Sequence, residues 1–188
     1  MRNIPPMTRA LILLALLLPA QLAVARAPAH PRHHAIAHAA AHDARRDERL
    51  LALTIWAEAR SRGPVAMRLV GHVIVNRARS GGYGEGIAGV LWQRGQFGVW
   101  RNKDANRAAM RRIASLPPRS RDRQRWDEAK AIAHTLLHGR RIDPTNGATH
   151  YASPGAHPDW VKDSRRVATL AGYRFYRMKG EARPSATS

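Results

Sequence analysis

The chain has 188 residues, 32 of them Lys or Arg against 13 Asp or Glu, a formal net charge of +19 and no cysteine. That length holds one ordinary domain with tails and excludes two large ones; the missing cysteines exclude disulfides, thiolate zinc sites and Cys/His catalysis. With 44% hydrophobic residues the chain can build a core despite its charge, and the surplus of positive charge points to a polyanionic partner: nucleic acid, an anionic membrane surface or an acidic wall polymer.

Arg2 and Arg9 precede an apolar run from Ala10 to Leu18, and the following stretch ends in Ala23-Val24-Ala25. A basic start, a short apolar stretch and an Ala-x-Ala site mark residues 1–25 as a secretory signal peptide, with cleavage expected after Ala25. The run falls short of the roughly 20 residues that span a bilayer, so no stable membrane insertion is expected after cleavage. Removal takes away two arginines and leaves 30 basic against 13 acidic residues, a charge of +17. The expected location is the periplasm, the cell wall or the medium, where nucleic acid is not the expected partner.

Residues 26–42 are rich in Ala, His and Pro and hold little that could build a core, so they read as a linker. His34, His38 and His42 stand at i, i+4 spacing and would share a face if the stretch were helical; weak zinc or copper binding is then the alternative to a solvated tether. The globular domain is expected over 43–178, with a flexible tail over 179–188.

Asp43, Asp47 and Glu48 suit the first turn of a helix whose body, Leu50 to Arg60, is apolar nearly all round. Glu58 is its one interior acid, on the side of Leu51 and Ile55. Burial there would raise its pKa toward that of a general acid; an ion pair with Arg60 or Arg62 is the equally weighted alternative. Gly63-Pro64 opens a second helix, with a stripe of Val65, Ala66, Leu69, Val70, Val73 and Ile74 running on to Arg79. After the loop 80–86, Ile87 to Gln93 reads as a short helix. Gln96, Phe97 and Trp100 then supply flat faces and amide groups suited to a sugar-binding wall, or cap the core.

Further helices are expected over Asp104 to Leu116 and Asp122 to His138, the latter capped by Gly139. Asp143 to Gly147 reads as a turn, Ala148 to Ala152 as a strand, and Val167 to Leu170 with Tyr173 to Tyr176 as a hairpin around Ala171-Gly172. Helices first and a small antiparallel sheet late predict an α+β domain.

In that order the blocks Leu53-Thr54-Ile55-Trp56-Ala57-Glu58-Ala59-Arg60, Val73-Ile74-Val75-Asn76-Arg77, Gln96-Phe97 with Trp100, Asp143 to Tyr151, Trp160 and Gly172-Tyr173-Arg174-Phe175-Tyr176 resemble the SleB/CwlJ family of cell-wall hydrolases, over about 130 residues. Two blocks depart from the family's pattern: Ser61-Arg62 stands where Gly-Glu is common, and Gln96-Phe97-Gly98-Val99-Trp100 where Gln-Phe-Ser-Trp is usual.

The resemblance implies a peptidoglycan glycosidase with a mainly helical, lysozyme-like or lytic-transglycosylase-like core, and Glu58 as its catalytic acid. Glycoside hydrolysis ordinarily uses two carboxylates, whereas only Glu58 sits inside a buried helix. One acid suffices for lytic transglycosylation, which needs no cofactor and no metal. Expected roles follow: Tyr151 beside Glu58 at the catalytic centre, and Gln96, Phe97, Trp100, Thr149 and His150 along the substrate, with Thr149 and His150 also holding their strand. Asp143 is read as a turn residue, with a second catalytic acid as the alternative. The partner is the peptidoglycan strand and the chain is expected to be a monomer. A hydrolytic muramidase on the same fold stays open as the alternative chemistry, and two rival classes stay open beside it: a zinc-dependent amidase or peptidase built on His150, His157 and Asp159, and a non-enzymatic basic wall-binding protein.

Overall fold

The computed structural model describes residues 31–101, 105–139 and 142–184. The expected signal peptide and its cleavage site lie outside them, as do the first residues of the linker and the last four of the tail. No described helix is long and apolar enough to cross a membrane.

The architecture is the predicted α+β. Among the described residues five α-helices come first: α1 (Pro31–Ala59), α2 (Pro64–Ser80), α3 (Gly86–Trp92), α4 (Ala105–Arg111) and α5 (Arg121–His138); a late antiparallel sheet of β1 (His150–Ala152), β2 (Ser164–Leu170) and β3 (Tyr173–Met178) follows, in the order β1-β3-β2. The helix expected over Asp104 to Leu116 is divided: α4 ends at Arg111 and a separate 3-10 turn covers Ile113–Ser115. The segment read as a linker is helical from Pro31 onward. Its alanines carry the best intrinsic helix propensity, and the packed half of α1 supplies a nucleus from which the helix extends. Residues 40–46 of that extension are exposed and add no core.

The core forms where α1, α2 and α5 meet. Leu51, Ala52, Ile55, Trp56 and Ala59 recur on one face of α1 and are at most 1% exposed. On α2, Gly71 permits the close approach: a Cβ there would run into the Leu136 side chain of α5 and touch Ile55 of α1. The Trp56 indole N–H donates to the Asp122 carbonyl at 3.0 Å, fixing α1 against the start of α5. Ser120 caps α5, its hydroxyl accepting from the Arg123 N–H.

In the sheet, β2 and β3 are joined through Ala171 and Gly172, both at positive φ (49° and 79°), as a two-residue primed turn requires. A bulge lies between Arg166 and Ala168 of β2. There the Val167 carbonyl accepts from the Asn146 side-chain amide at 3.1 Å, which ties the preceding loop to the sheet. Past β3, the described part of the expected tail makes contacts with the domain. Glu181 folds back to accept from the Met178 N–H at 3.0 Å and from the Thr149 hydroxyl, and Arg183 and Pro184 pack close to Gly147.

Candidate active site

Glu58 lies in the last turn of α1, half-buried, where the apolar helix meets the sheet. Tyr151 of β1 points its hydroxyl at Glu58 Oε2, at 3.4 Å. Burial, then the Glu58 charge, raises the Tyr151 pKa above the ordinary phenol value, so the hydroxyl keeps its proton. Tyr173 packs edge-on to Tyr151 with ring centroids 5.7 Å apart, and burial followed by the Glu58 charge also raises its pKa, against the Arg62 guanidinium over its ring.

Two cavities flank this pair. One, of about 440 Å³, is walled by Glu58 with Arg60, Asn106, Arg121, Asp122 and Arg125. The other, of about 450 Å³, is walled by Tyr151 with Arg77, Gln96, Phe97, His150 and Trp160. The first is rich in cations. The second combines aromatic faces with amide and imidazole groups, the mixture that binds a sugar ring.

Arg77 organises the second cavity. It is 4% exposed, donates through Nε to the Thr149 carbonyl and at 2.7 Å to Gln96 Oε1, and lies over the rings of Tyr83 and Phe97 at 5.1 and 5.6 Å. Burial lowers its pKa from the usual guanidinium value, while the surrounding Tyr and Glu181 groups oppose that shift. With Oε1 occupied by Arg77, the exposed Gln96 has its amide N–H left to meet a ligand oxygen. His150 packs at a tilt against Trp160, with ring centroids 5.0 Å apart, and edge-on against Tyr83 at 5.7 Å. Burial, and then the Arg77 charge, pull it down to about 4, so it is neutral at ordinary pH.

The remaining predicted residues stand behind the cavities. Thr149 is fully buried; its hydroxyl donates to Glu181 and lies 3.1 Å from His150 Nδ1, so it supports the strand from within. Trp100 donates its indole N–H to the Thr54 hydroxyl at 3.1 Å and packs on the core, lining neither cavity. Phe97 serves both readings: it is core and cavity wall at once.

Asp143 is consumed by structure. Its Oδ1 accepts from the Thr145 N–H (2.9 Å) and hydroxyl (2.6 Å) and faces His72 Nδ1 at 3.4 Å. Its Oδ2 accepts from the Asn76 amide (2.9 Å) and the Gly147 N–H (2.8 Å). Burial acts to raise this carboxyl, but the bonds from Thr145, Asn76 and Gly147 outweigh it and hold the pKa below the usual value. His72 and Asn76 stand one turn apart on α2, so the acid fastens the loop before β1 to that helix. It is the turn residue, not a second acid facing the cavities.

Glu181, which the sequence left in the tail, is a second carboxylate behind the site. Burial acts to raise its pKa, but bonds from Thr149, Tyr83 and the Met178 N–H hold it low. Its partner Tyr83 is pushed up to about 12, first by burial and then by that bond. His150, His157 and Asp159 are not gathered as a set of metal ligands, so a zinc-dependent amidase built on those three residues has no centre in this structure.

An acid and a tyrosine thus stand between two cavities, one rich in cations and one lined by aromatic faces. Residues 61–176 match the model of the cell wall hydrolase family, and the chain belongs to that family. It is therefore an enzyme acting on peptidoglycan, as the SleB/CwlJ resemblance implied. The matched span includes Arg77, Gln96, Asp143 and Tyr151 but begins three residues after Glu58. No curated protein and no solved structure gives a significant match.

Proposed function

We propose that this enzyme cleaves the glycan strand of peptidoglycan between N-acetylmuramic acid and N-acetylglucosamine as a lytic transglycosylase, with Glu58 as its single acid and base. The observation that carries this reading is the Glu58–Tyr151 pair, 3.4 Å apart, between two cavities on facing elements. A strand laid across both would bring one glycosidic bond over Glu58.

In the first step the Glu58 carboxyl gives its proton to the glycosidic oxygen as the bond to muramic acid C1 breaks, leaving oxocarbenium-like charge at C1. In the second, the Glu58 carboxylate takes the proton of the C6 hydroxyl of the same sugar, whose oxygen bonds to C1. The product is a 1,6-anhydro end, and Glu58 returns to its acid form. The internal hydroxyl replaces water and gains from proximity. Tyr151 holds the Glu58 carboxyl in place by its protonated hydroxyl. Gln96, Phe97, His150 and Trp160 hold the sugars on one side, and on the other Arg121 meets lactyl or peptide carboxylates.

One observation favours a second reading, hydrolysis by a muramidase. Asp122 lines the same cavity as Glu58, although Arg60 lies 3.5 Å from its carboxylate. With a water activated by Asp122, two carboxylates would be in play.

The work is expected outside the cytoplasm, in the periplasm or wall, after removal of the signal peptide. The deciding experiment digests purified peptidoglycan with the mature enzyme and separates the soluble products by mass spectrometry. Anhydro-muropeptides from wild type and Asp122→Asn, but not from Glu58→Gln, are expected. Reducing ends lost in Asp122→Asn would establish the hydrolase. Unchanged release by Glu58→Gln would remove Glu58 from the chemistry under both readings.

A further inference from the structure

Away from the cavities that hold Glu58 and Tyr151, α1 and α5 bring three metal-ligating side chains together. His134 and His138 stand one turn apart on α5, with ring centroids 4.9 Å apart. From the facing helix, Glu48 sets its Oε2 3.2 Å from His134 Nδ1 and 3.1 Å from His138 Nε2. All three donor atoms lie within 4.8 Å of one another.

Tetrahedral zinc with its nitrogen and oxygen ligands at about 2.0–2.2 Å keeps those ligands about 3.3 Å apart. Two of the three separations, 3.2 and 3.1 Å, are already close to that spacing and the third is within 4.8 Å, so small side-chain rotations would seat an ion. Two imidazoles and one carboxylate are also a donor set of three-ligand zinc sites, which leave a fourth position for water. The side chains of His134 and His138 are 66% and 43% exposed, so that position opens to solvent. Their i, i+4 spacing on a regular helix fixes two ligands before any metal arrives.

We propose that Glu48, His134 and His138 form a zinc-binding site that fastens α1 to α5. The site is separate from glycan cleavage: Glu48 precedes Glu58 by ten residues on the same helix, about 15 Å along its axis. A metal there would restrain the helix whose last turn carries Glu58. Arg45, Arg49 and Lys130 share a cavity wall with Glu48 and oppose a divalent cation. Solvent access and that repulsion together make the site weaker than a closed structural zinc centre.

The test titrates zinc chloride into the metal-free full chain, followed by calorimetry and by thermal melting. The background chain carries alanine at His30, His33, His34, His38 and His42, so that the His-rich segment contributes no ligands. One zinc per chain is expected, with a melting temperature raised by about 5 °C or more at saturation. His134→Ala/His138→Ala should abolish both effects, and Glu48→Gln should weaken binding at least tenfold. Because the imidazoles are exposed, the histidine variant should melt cooperatively without metal, which circular dichroism checks. Zinc bound equally well by that variant, or no binding at millimolar zinc, would overturn the proposal. So would a histidine variant that merely melts lower while zinc leaves every form unchanged, since the three groups would then be an ion pair and nothing more.

Discussion

Replacing Asp143 with asparagine separates a structural acid from a catalytic one at nearly constant shape. The carboxylate receives two donors on each oxygen: the Thr145 N–H and hydroxyl on Oδ1, the Asn76 amide and Gly147 N–H on Oδ2. Asparagine can accept through one oxygen only and turns an NH2 toward the other two donors. Two charge-assisted bonds are lost, each worth about 1.5–3 kcal/mol. The Thr145 hydroxyl can rotate, and Asn76 keeps the Ala148 carbonyl at 3.0 Å, so the lower end applies, about 3 kcal/mol. At this chain length that lowers the melting temperature by about 6–12 °C. Because the pKa of Asp143 is held below its unfolded value, its contribution is complete above about pH 4 and is lost as pH falls through the lower folded value. The asparagine variant should lose that part of the acid dependence. The assay pairs calorimetric melting with peptidoglycan solubilisation well below the transition, where the folded variant should keep activity within a few-fold. An unchanged melting temperature with activity down a hundredfold would refute the structural role and make Asp143 a participant in the chemistry.

Tyr151→Phe should fold normally, since ring packing on Tyr173 is retained, and lose about tenfold or more in turnover; full activity would remove the hydroxyl from the mechanism. His150 is held neutral in the fold with its pKa near 4, whereas its unfolded form takes a proton below about 6.5. Stability should therefore fall as pH drops from about 6.5 toward 4, and His150→Gln should flatten part of that slope. Parallel melting curves for the two proteins would contradict it. Ending the chain after Lys179 removes Glu181, the acceptor for the buried Thr149 hydroxyl. A loss of about 1–2 kcal/mol and several degrees in melting temperature is expected, and an unchanged melting point would show the tail to be dispensable. Retention on purified peptidoglycan should weaken steeply as salt is raised if the surplus charge holds the enzyme on its anionic substrate; salt-independent retention would show that short-range contacts suffice.

The packed half of α1, the helices α2 and α5 and the late hairpin were legible because each rests on local signals. Period in the apolar residues marked α1, α2 and α5, and the Ala171-Gly172 pair marked the hairpin. Glu58 stood out as the one acid in an apolar helix. What escaped depends on partners distant in sequence. Arg77 is one of 32 basic residues and nothing beside it announces burial; it is buried because the Thr149 carbonyl and Gln96 arrive from other segments to accept its protons. Glu181 has the same history, since its donors Tyr83 and Thr149 precede it by 98 and 32 residues. Trp100 was read as lining the substrate groove and Thr149 as lying along the substrate while holding its strand; an indole N–H and a hydroxyl satisfy interior partners as readily as a sugar. Their direction is set by Thr54 and by Glu181. Residue type could nominate a wall for the site, while the choice between facing the cavity and bracing it from behind belongs to the long-range hydrogen bonds. Arg77 and Asp143 show why that bracing is polar: each secures the chain on one side of β1 to α2, and β1 carries Tyr151 to Glu58.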